Sequence, residues 1–284
     1  MPTFNTPEPI DLELVVPMGY VELVASDRTD TVVEVLPTNV RRSGDVTLAA
    51  EASAVFAEGR LRVSVPKRLN LFGPGDSVDV RLLLPTGSRA SVEVAYGSVR
   101  ARGALGASRV ICKYGPVTLE STADLSLTTP YGDVEIEEVA GNLDLTAGHA
   151  RLSIRSVTGS TRIKGSHGSL QFDAVGGDFE ARTSGVVLLG RAGGDVTVQT
   201  AYGAVRIGEV SGGAVRVENG YGEVAVGVPH GVAAWVDAAS QHGAVRNELT
   251  PEAGPEGSER TVELRLRTNY GDVIISRAQQ KGKS

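Results

Sequence analysis

From about residue 91 onward the chain is written in short stretches that alternate apolar and polar residues. "SVRARG", "DVEIEE", "NLDLTA", "STRIKG", "DVTVQT", "AVRIGE" and "EVAVGV" all follow this rule. A period of two predicts β-strands with one buried face and one wet face. Val99, Val117, Val134, Leu170, Val205, Val224 and Val245 share one phase, while Arg100, Glu135, Gln171 and Arg206 share the other. Helical periodicity is absent from this region.

The strands are separated by turns that repeat. An aromatic-glycine pair recurs at Tyr96-Gly97, Tyr114-Gly115, Tyr131-Gly132, His167-Gly168, Tyr202-Gly203, Tyr221-Gly222, His242-Gly243 and Tyr270-Gly271. Weaker copies at Gly148 and at Ser184-Gly185 fill the gaps. A second turn falls midway, at Gly106, Asp124, Gly141, Gly159, Gly177, Gly194, Gly212 and Gly231. The unit is therefore about eighteen residues in two halves. Strands this short cannot bury a face alone, but stacking each unit ~4.8 Å above the last joins their inward residues into aliphatic columns. The pattern predicts a β-solenoid of about nine coils with two short strands per coil. An antiparallel meander would share the turn spacing, but it gives no reason for like residues to recur at every second turn.

The ends differ from the middle. Eight of the thirteen prolines lie in the first ninety residues, among longer alternating runs such as "DLELVV", "TVVEVLP" and "SVDVRLLLP". Residues 1–90 read as an antiparallel sheet or small sandwich that caps the solenoid, which spans 91–276. A Pro/Gly/Glu loop over 249–260 interrupts the penultimate coil, "TVELRLRT" and "NYGDVIIS" close the array, and 277–284 is a frayed tail.

Composition narrows the partners. Glycine is abundant at 35 residues and aromatics scarce at 5%, so turns are frequent and the core is small and aliphatic. A net charge of −6 argues against a nucleic-acid protein, which would need a basic face. No apolar run has the length of a membrane span or of a signal peptide. One cysteine, Cys112, excludes an internal disulfide framework and fits a reducing compartment, so the expected location is the cytoplasm.

Three stretches carry a resemblance: "VDVRLLLPTGSRASVEVAYGSVRARG", "YGDVEIEEVAGNLDLTAG" and the closing "RTNYGDVIIS". Across essentially the whole chain they resemble the bacterial β-strand-repeat domains of unknown function named as candidate adhesins, which are related to toastrack domains of envelope-stress proteins. The resemblance implies a stacked β-repeat fold, and it implies no catalytic residues.

The sharpest candidate feature is the ring column. Six of seven tyrosines and His167, His230 and His242 directly precede a glycine. Stacked coils would align these rings at one corner. Repetition at every unit is what a register-fixing ladder shows, although an aromatic strip could also bind a partner or a sugar. Tyr202, Tyr221 and Tyr270 are the candidate contacts in the column. Leu71 and Phe72, in the basic-apolar loop over 67–77, are candidate contacts outside it.

Other chemistry is not supported. His167 and His242 lie four units apart, too far to share an ion, and no calcium nonapeptide recurs, so neither a metal nor a cofactor is expected. There is no G-x-S-x-G elbow and no clustered acid and base. The expectation is a non-enzymatic scaffold that contacts another protein or copies of itself. One alternative is a toastrack-like stress-sensing or regulatory module with a membrane or transcriptional partner. The other is a carbohydrate-binding or carbohydrate-acting β-helix.

Overall fold

The computed structural model describes residues 2–68, 75–249 and 260–278. The chain divides into two compact units, Met1–Gly141 and Asn142–Ser284. Both are built from coils that contribute one strand to each of two parallel sheets.

The first unit begins with β1 (Thr3–Asn5), β2 (Asp11–Ser26), β3 (Asp30–Pro37), the helix α1 (Ser43–Glu51), β4 (Ser53–Ala57) and β5 (Arg60–Ser64). It continues with β6 (Val78–Pro85), β7 (Arg89–Leu105), β8 (Ser108–Tyr114), β9 (Val117–Thr122), β10 (Leu125–Tyr131) and β11 (Val134–Val139). β2 and β7 are long because each runs through a corner, with its first half in one sheet and its second half in the other. One sheet runs β4–β5–β2–β7–β8–β10. The other runs β1–β3–β6–β2–β7–β9–β11. All pairs are parallel except β4–β5, β3–β6 and β1–β3, so the unit carries an antiparallel N-terminal extension on a parallel solenoid.

Inward residues line up coil above coil, as the alternation predicts. Val80, Val21, Val99, Val117 and Val134 form one buried column, and Leu82, Leu23, Ala101, Leu119 and Ile136 another. Each such Val or Leu side chain taken from water contributes about 1.5–3 kcal/mol, which makes these columns the main stabilising element.

Parallel pairing also takes in β2, whose corner the aromatic-glycine pattern does not mark. Met18 stands where Tyr96 stands, and Gly19 is in register with Gly97. The helix α1 was not expected either. Its Asp45 is buried and accepts backbone N–H groups from Asn39 and Ser77, both at 3.1 Å, tying two loops together.

The second unit starts with β12 (Leu143–His149), β13 (Leu152–Val157), β14 (Thr161–Ser166), β15 (Leu170–Val175), β16 (Phe179–Thr183), β17 (Val187–Ala192) and β18 (Val196–Tyr202). Next come β19 (Val205–Val210), β20 (Gly213–Tyr221), β21 (Val224–Val228), β22 (Val232–His242), β23 (Val245–Asn247), β24 (Arg260–Tyr270) and β25 (Val273–Arg277). Its sheets run β12–β14–β16–β18–β20–β24–β22 and β13–β15–β17–β19–β21–β25–β23, with every pair parallel. Phe172 and Phe179 meet edge-on across the core at 5.2 Å, and the small Ala181 beside them keeps the layer thickness even.

The coil order departs from the chain order. β24 and β25 lie between β20–β21 and β22–β23, so the last coil in sequence is not the outermost. The expectation that "TVELRLRT" and "NYGDVIIS" close the array is corrected here. Any coil presents the same alternation to any other, so the repeat tolerates the exchange.

Candidate functional site

Most of the corners are set by a glycine that sits against the glycine of the neighbouring coil, although Gly168 sits against Ala150 and Gly19 against Val78. A Cβ on Gly97 would stand 1.7 Å from the Gly19 carbonyl oxygen, and the backbone there has φ +144°. The residue before that glycine projects outward and meets its counterpart one coil away. Tyr96 and Tyr114 stack at 4.8 Å with 5° between planes, and Tyr114 and Tyr131 at 5.1 Å with 3°. In the second unit His149 and His167 stack at 4.9 Å. Tyr202, Tyr221, Tyr270 and His242 continue in that order at 5.4, 4.7 and 4.5 Å. Isolated rings prefer offset or edge-on geometry, so this parallel stacking is imposed by the coil spacing.

The column in the second unit has one break. β14 carries His167 and β18 leads to Tyr202, but β16 between them leads to Ser184. The register explains the loss. Phe179 pairs with Val196 and Thr183 with Thr200, yet Gly185 then follows Ser184 directly, whereas Gly203 is reached through Ala201 and Tyr202. This corner is one residue short, and on the β14 side Ser184 takes the place of His167, directly before the corner glycine. Ser184 Oγ lies 2.6 Å from His167 Nδ1 and fixes that ring. A shallow cavity of about 780 Å³ opens here and runs along the small residues Gly165, Ala201 and Gly220. Its rim includes Arg182, Gln199, Glu218 and Arg267, and Gln199 donates to Glu218 at 3.1 Å.

Beneath the rings lies a row of buried donors that serve the corner carbonyls. Thr200 donates to Gly185, Asn219 to Gly203 and Gly222, Thr268 to Gly222, and Ser240 to Gly271, at 2.8 to 3.2 Å. The carbonyls turn inward where the chain bends, and each would otherwise be buried without a partner. Cys112 plays this part in the first unit, its thiol donating to the Gly115 and Gly97 carbonyls at 3.4 and 3.7 Å. Burial pushes that thiol up to about 11, so it stays protonated at neutral pH.

The candidate contacts are now placed. Tyr202, Tyr221 and Tyr270 are half-exposed neighbours in one ring stack. Leu71 and Phe72 lie outside the described residues. Sequence reasoning passed over Trp235, which is 58% exposed on β22 with the Arg265 guanidinium 5.9 Å above its ring. A lone tryptophan in a strand otherwise rich in alanine was the available signal. A second shallow cavity of about 530 Å³ lies between Trp235 and Glu263 and Arg265. Among the described residues no group of three or more His, Cys, Asp or Glu is placed to hold a metal ion. No helix among them is long and apolar enough to cross a membrane.

No family model and no curated protein matches the chain. Solved structures do match along nearly its whole length. A candidate cell adhesion protein from Clostridium sporogenes is 12% identical, with 97% of this chain and 98% of that chain covered and a TM-score of 0.28. A candidate adhesin from Bacteroides fragilis is 10% identical, with 97% and 95% covered and a TM-score of 0.33. Another from Parabacteroides distasonis is 13% identical, with 96% and 95% covered and a TM-score of 0.29.

Proposed function

We propose that the protein is a non-catalytic β-solenoid scaffold that joins a second copy of itself through the outermost coil of the second unit. The observation that carries this reading is the uncovered core at β22 and β23. Ala234, Val236 and Ala238 point inward yet stay half-exposed, while Val262, Leu264 and Leu266 beside them are fully buried. Val245 is 45% exposed, while its partner Val273 is buried completely. Both strands have a partner on one side only among the described residues.

An open edge of this kind templates further pairing. In the first unit the chain covers the edges of β5 and β6 with its own antiparallel strands, β4 and β3. A second copy related by a two-fold axis would lay its β22 antiparallel on this β22 and supply the same cover. Several outer charges tie neighbouring coils together, as a scaffold requires. Examples are Arg81–Glu22 at 3.2 Å, Lys113–Glu93 at 3.1 Å and Arg206–Glu223 at 3.2 Å.

Sedimentation velocity over a concentration series tests the reading. The expected result is a dimer whose population falls in Val245→Lys and in Val236→Lys, with the circular dichroism of the monomer retained. A wild-type chain that stays monomeric at the highest concentration reached would overturn it.

A further inference from the structure

The gap in the ring column lies on the same unit but serves a different purpose. Adjacent rings along the second unit sit 4.5 to 5.4 Å apart, one coil per ring. His167 and Tyr202 are two coils apart, because β16 lies between β14 and β18. At ~4.8 Å per coil their ring centres stand ~9.6 Å apart, which leaves room for one more ring between the two walls. Ser184 is the only side chain that β16 offers at this rung, and it is too short to fill the space.

The exposure of Tyr202 bears this out. It is 61% exposed, against 45–50% for the other tyrosines of the two columns. The surplus is the face that would otherwise lie against a ring on the β16 corner. The wall opposite is held in place, because the Ser184 hydroxyl bonds His167 Nδ1 at 2.6 Å. The slot is therefore preorganised, and little ordering is required of it when a ligand enters.

We propose that this slot binds a pyranose ring of a glycan, sandwiched between His167 and Tyr202 with the rest of the sugar chain lying in the adjoining cavity. The assignment to a saccharide follows from the lining. Thr183, Ser184, Gln199, Asn269, Arg182 and Glu218 offer hydroxyl, amide, guanidinium and carboxylate groups around a floor of glycine and alanine. A sugar meets the ring faces with its C–H bonds, whose weak positive charge suits the negative face of an aromatic ring. Its hydroxyls then bond the polar rim. An aromatic side chain from a protein would satisfy the two faces equally well, but with at most one polar group of its own it would leave most of the rim without hydrogen-bond partners. The cavity extends along three further coils, past Gln199, Glu218 and Arg267, which fits a chain of sugars better than a single one. Binding there needs one copy of the chain only.

The test is a glycan array probed with the full-length protein, followed by calorimetry with the pyranose oligosaccharide that binds best. Ser184→Tyr restores the missing rung and fills the slot, so it is expected to keep or raise the melting temperature and to weaken binding at least tenfold. Tyr202→Ala removes one wall and is expected to weaken binding to a similar degree. Tyr96→Ala, in the other unit, should leave the affinity unchanged. The proposal is overturned if no glycan on the array is bound, or if Ser184→Tyr binds as the wild type does. Capture of tryptophan- or tyrosine-bearing peptides on a parallel peptide array, with no glycan bound, would assign the slot to a protein side chain instead. Because Ser184 is not in the outermost coil, loss of dimerisation in Val245→Lys leaves this binding intact.

Discussion

Gly115 lies so close over Gly97 that a Cβ on the former would stand 1.6 Å from the latter's carbonyl oxygen. The backbone of Gly115 is also at φ +137°, where side chains are rarely accommodated. The two coils can therefore approach to sheet distance at this corner only because Gly115 has no side chain.

Gly115→Ala should accordingly lower stability by about 3 kcal/mol, combining backbone strain with overpacking. Gly59→Ala is the control, since Gly59 has φ +75° but nothing within 4 Å of its added Cβ. Strain alone acts there, and the expected loss is about 1 kcal/mol. Urea titration of both variants measures the difference.

Asn219 serves its corner less well than its neighbours do. Its amide Nδ2 donates to two carbonyls, but Oδ1 is buried with no hydrogen-bond partner among the described residues. Thr200 and Thr268 do the same job with one hydroxyl each. Asn219→Thr is thus expected to be neutral or stabilising by up to about 1 kcal/mol, whereas Asn219→Val strands the Gly203 carbonyl, Gly222 keeping Thr268, and costs about 2 kcal/mol. Thermal melts followed by circular dichroism would separate the two.

The Cys112 thiol titrates near 9.0 when exposed and at about 11 in the folded chain. The folded state thus holds its proton where the unfolded state has lost it. The resulting stability is intact below pH 9 and disappears as pH rises towards 11. Wild type should lose stability over that window relative to Cys112→Ala. At pH 8 a thiol reagent should label the native protein far more slowly than the urea-unfolded chain.

The Arg267 guanidinium donates to Asp237 at 2.6 Å, and this hydrogen bond, aided by the charges of Arg267 and Arg265, holds the carboxyl below the usual aspartate range. The pair therefore stabilises the fold above the ordinary aspartate value and ceases to do so as pH falls through the lowered one. Both groups are exposed, so the contribution is small. An NMR titration of Asp237 should move up towards the ordinary value in Arg267→Ala.

The repeat itself was legible because burial acts on every second residue. Val99, Val117 and Val134 could be aligned by eye, and they share a column in the structure. The ring ladder was legible for a similar reason, since the glycine that permits the corner also marks the ring before it. β2 was harder to read, because Met18 replaces the ring and the strand runs through its corner without a break. The Ser184 corner was visible only as a weak copy. A residue missing from one coil becomes a gap only when the rings on either side are stacked at known spacing. The exchange of β22 and β24 had no signal at all, since inward residues such as Val236, Leu264 and Val215 are equally suited to any neighbour.

That exchange separates the order in which the coils are synthesised from the order in which they stack. A ribosome delivers β22 and β23 before β24 and β25, so the outer coil is finished while its resting place is still unmade. During that interval the growing chain offers β20 as the docking edge, and His242 of β22 can stack on Tyr221 as readily as it later stacks on Tyr270. Wherever β22 has paired with β20 first, β24 reaches its place only by parting the two. A chain stopped at residue 249 lacks β24 and β25, and its β20 edge is then left open to β22.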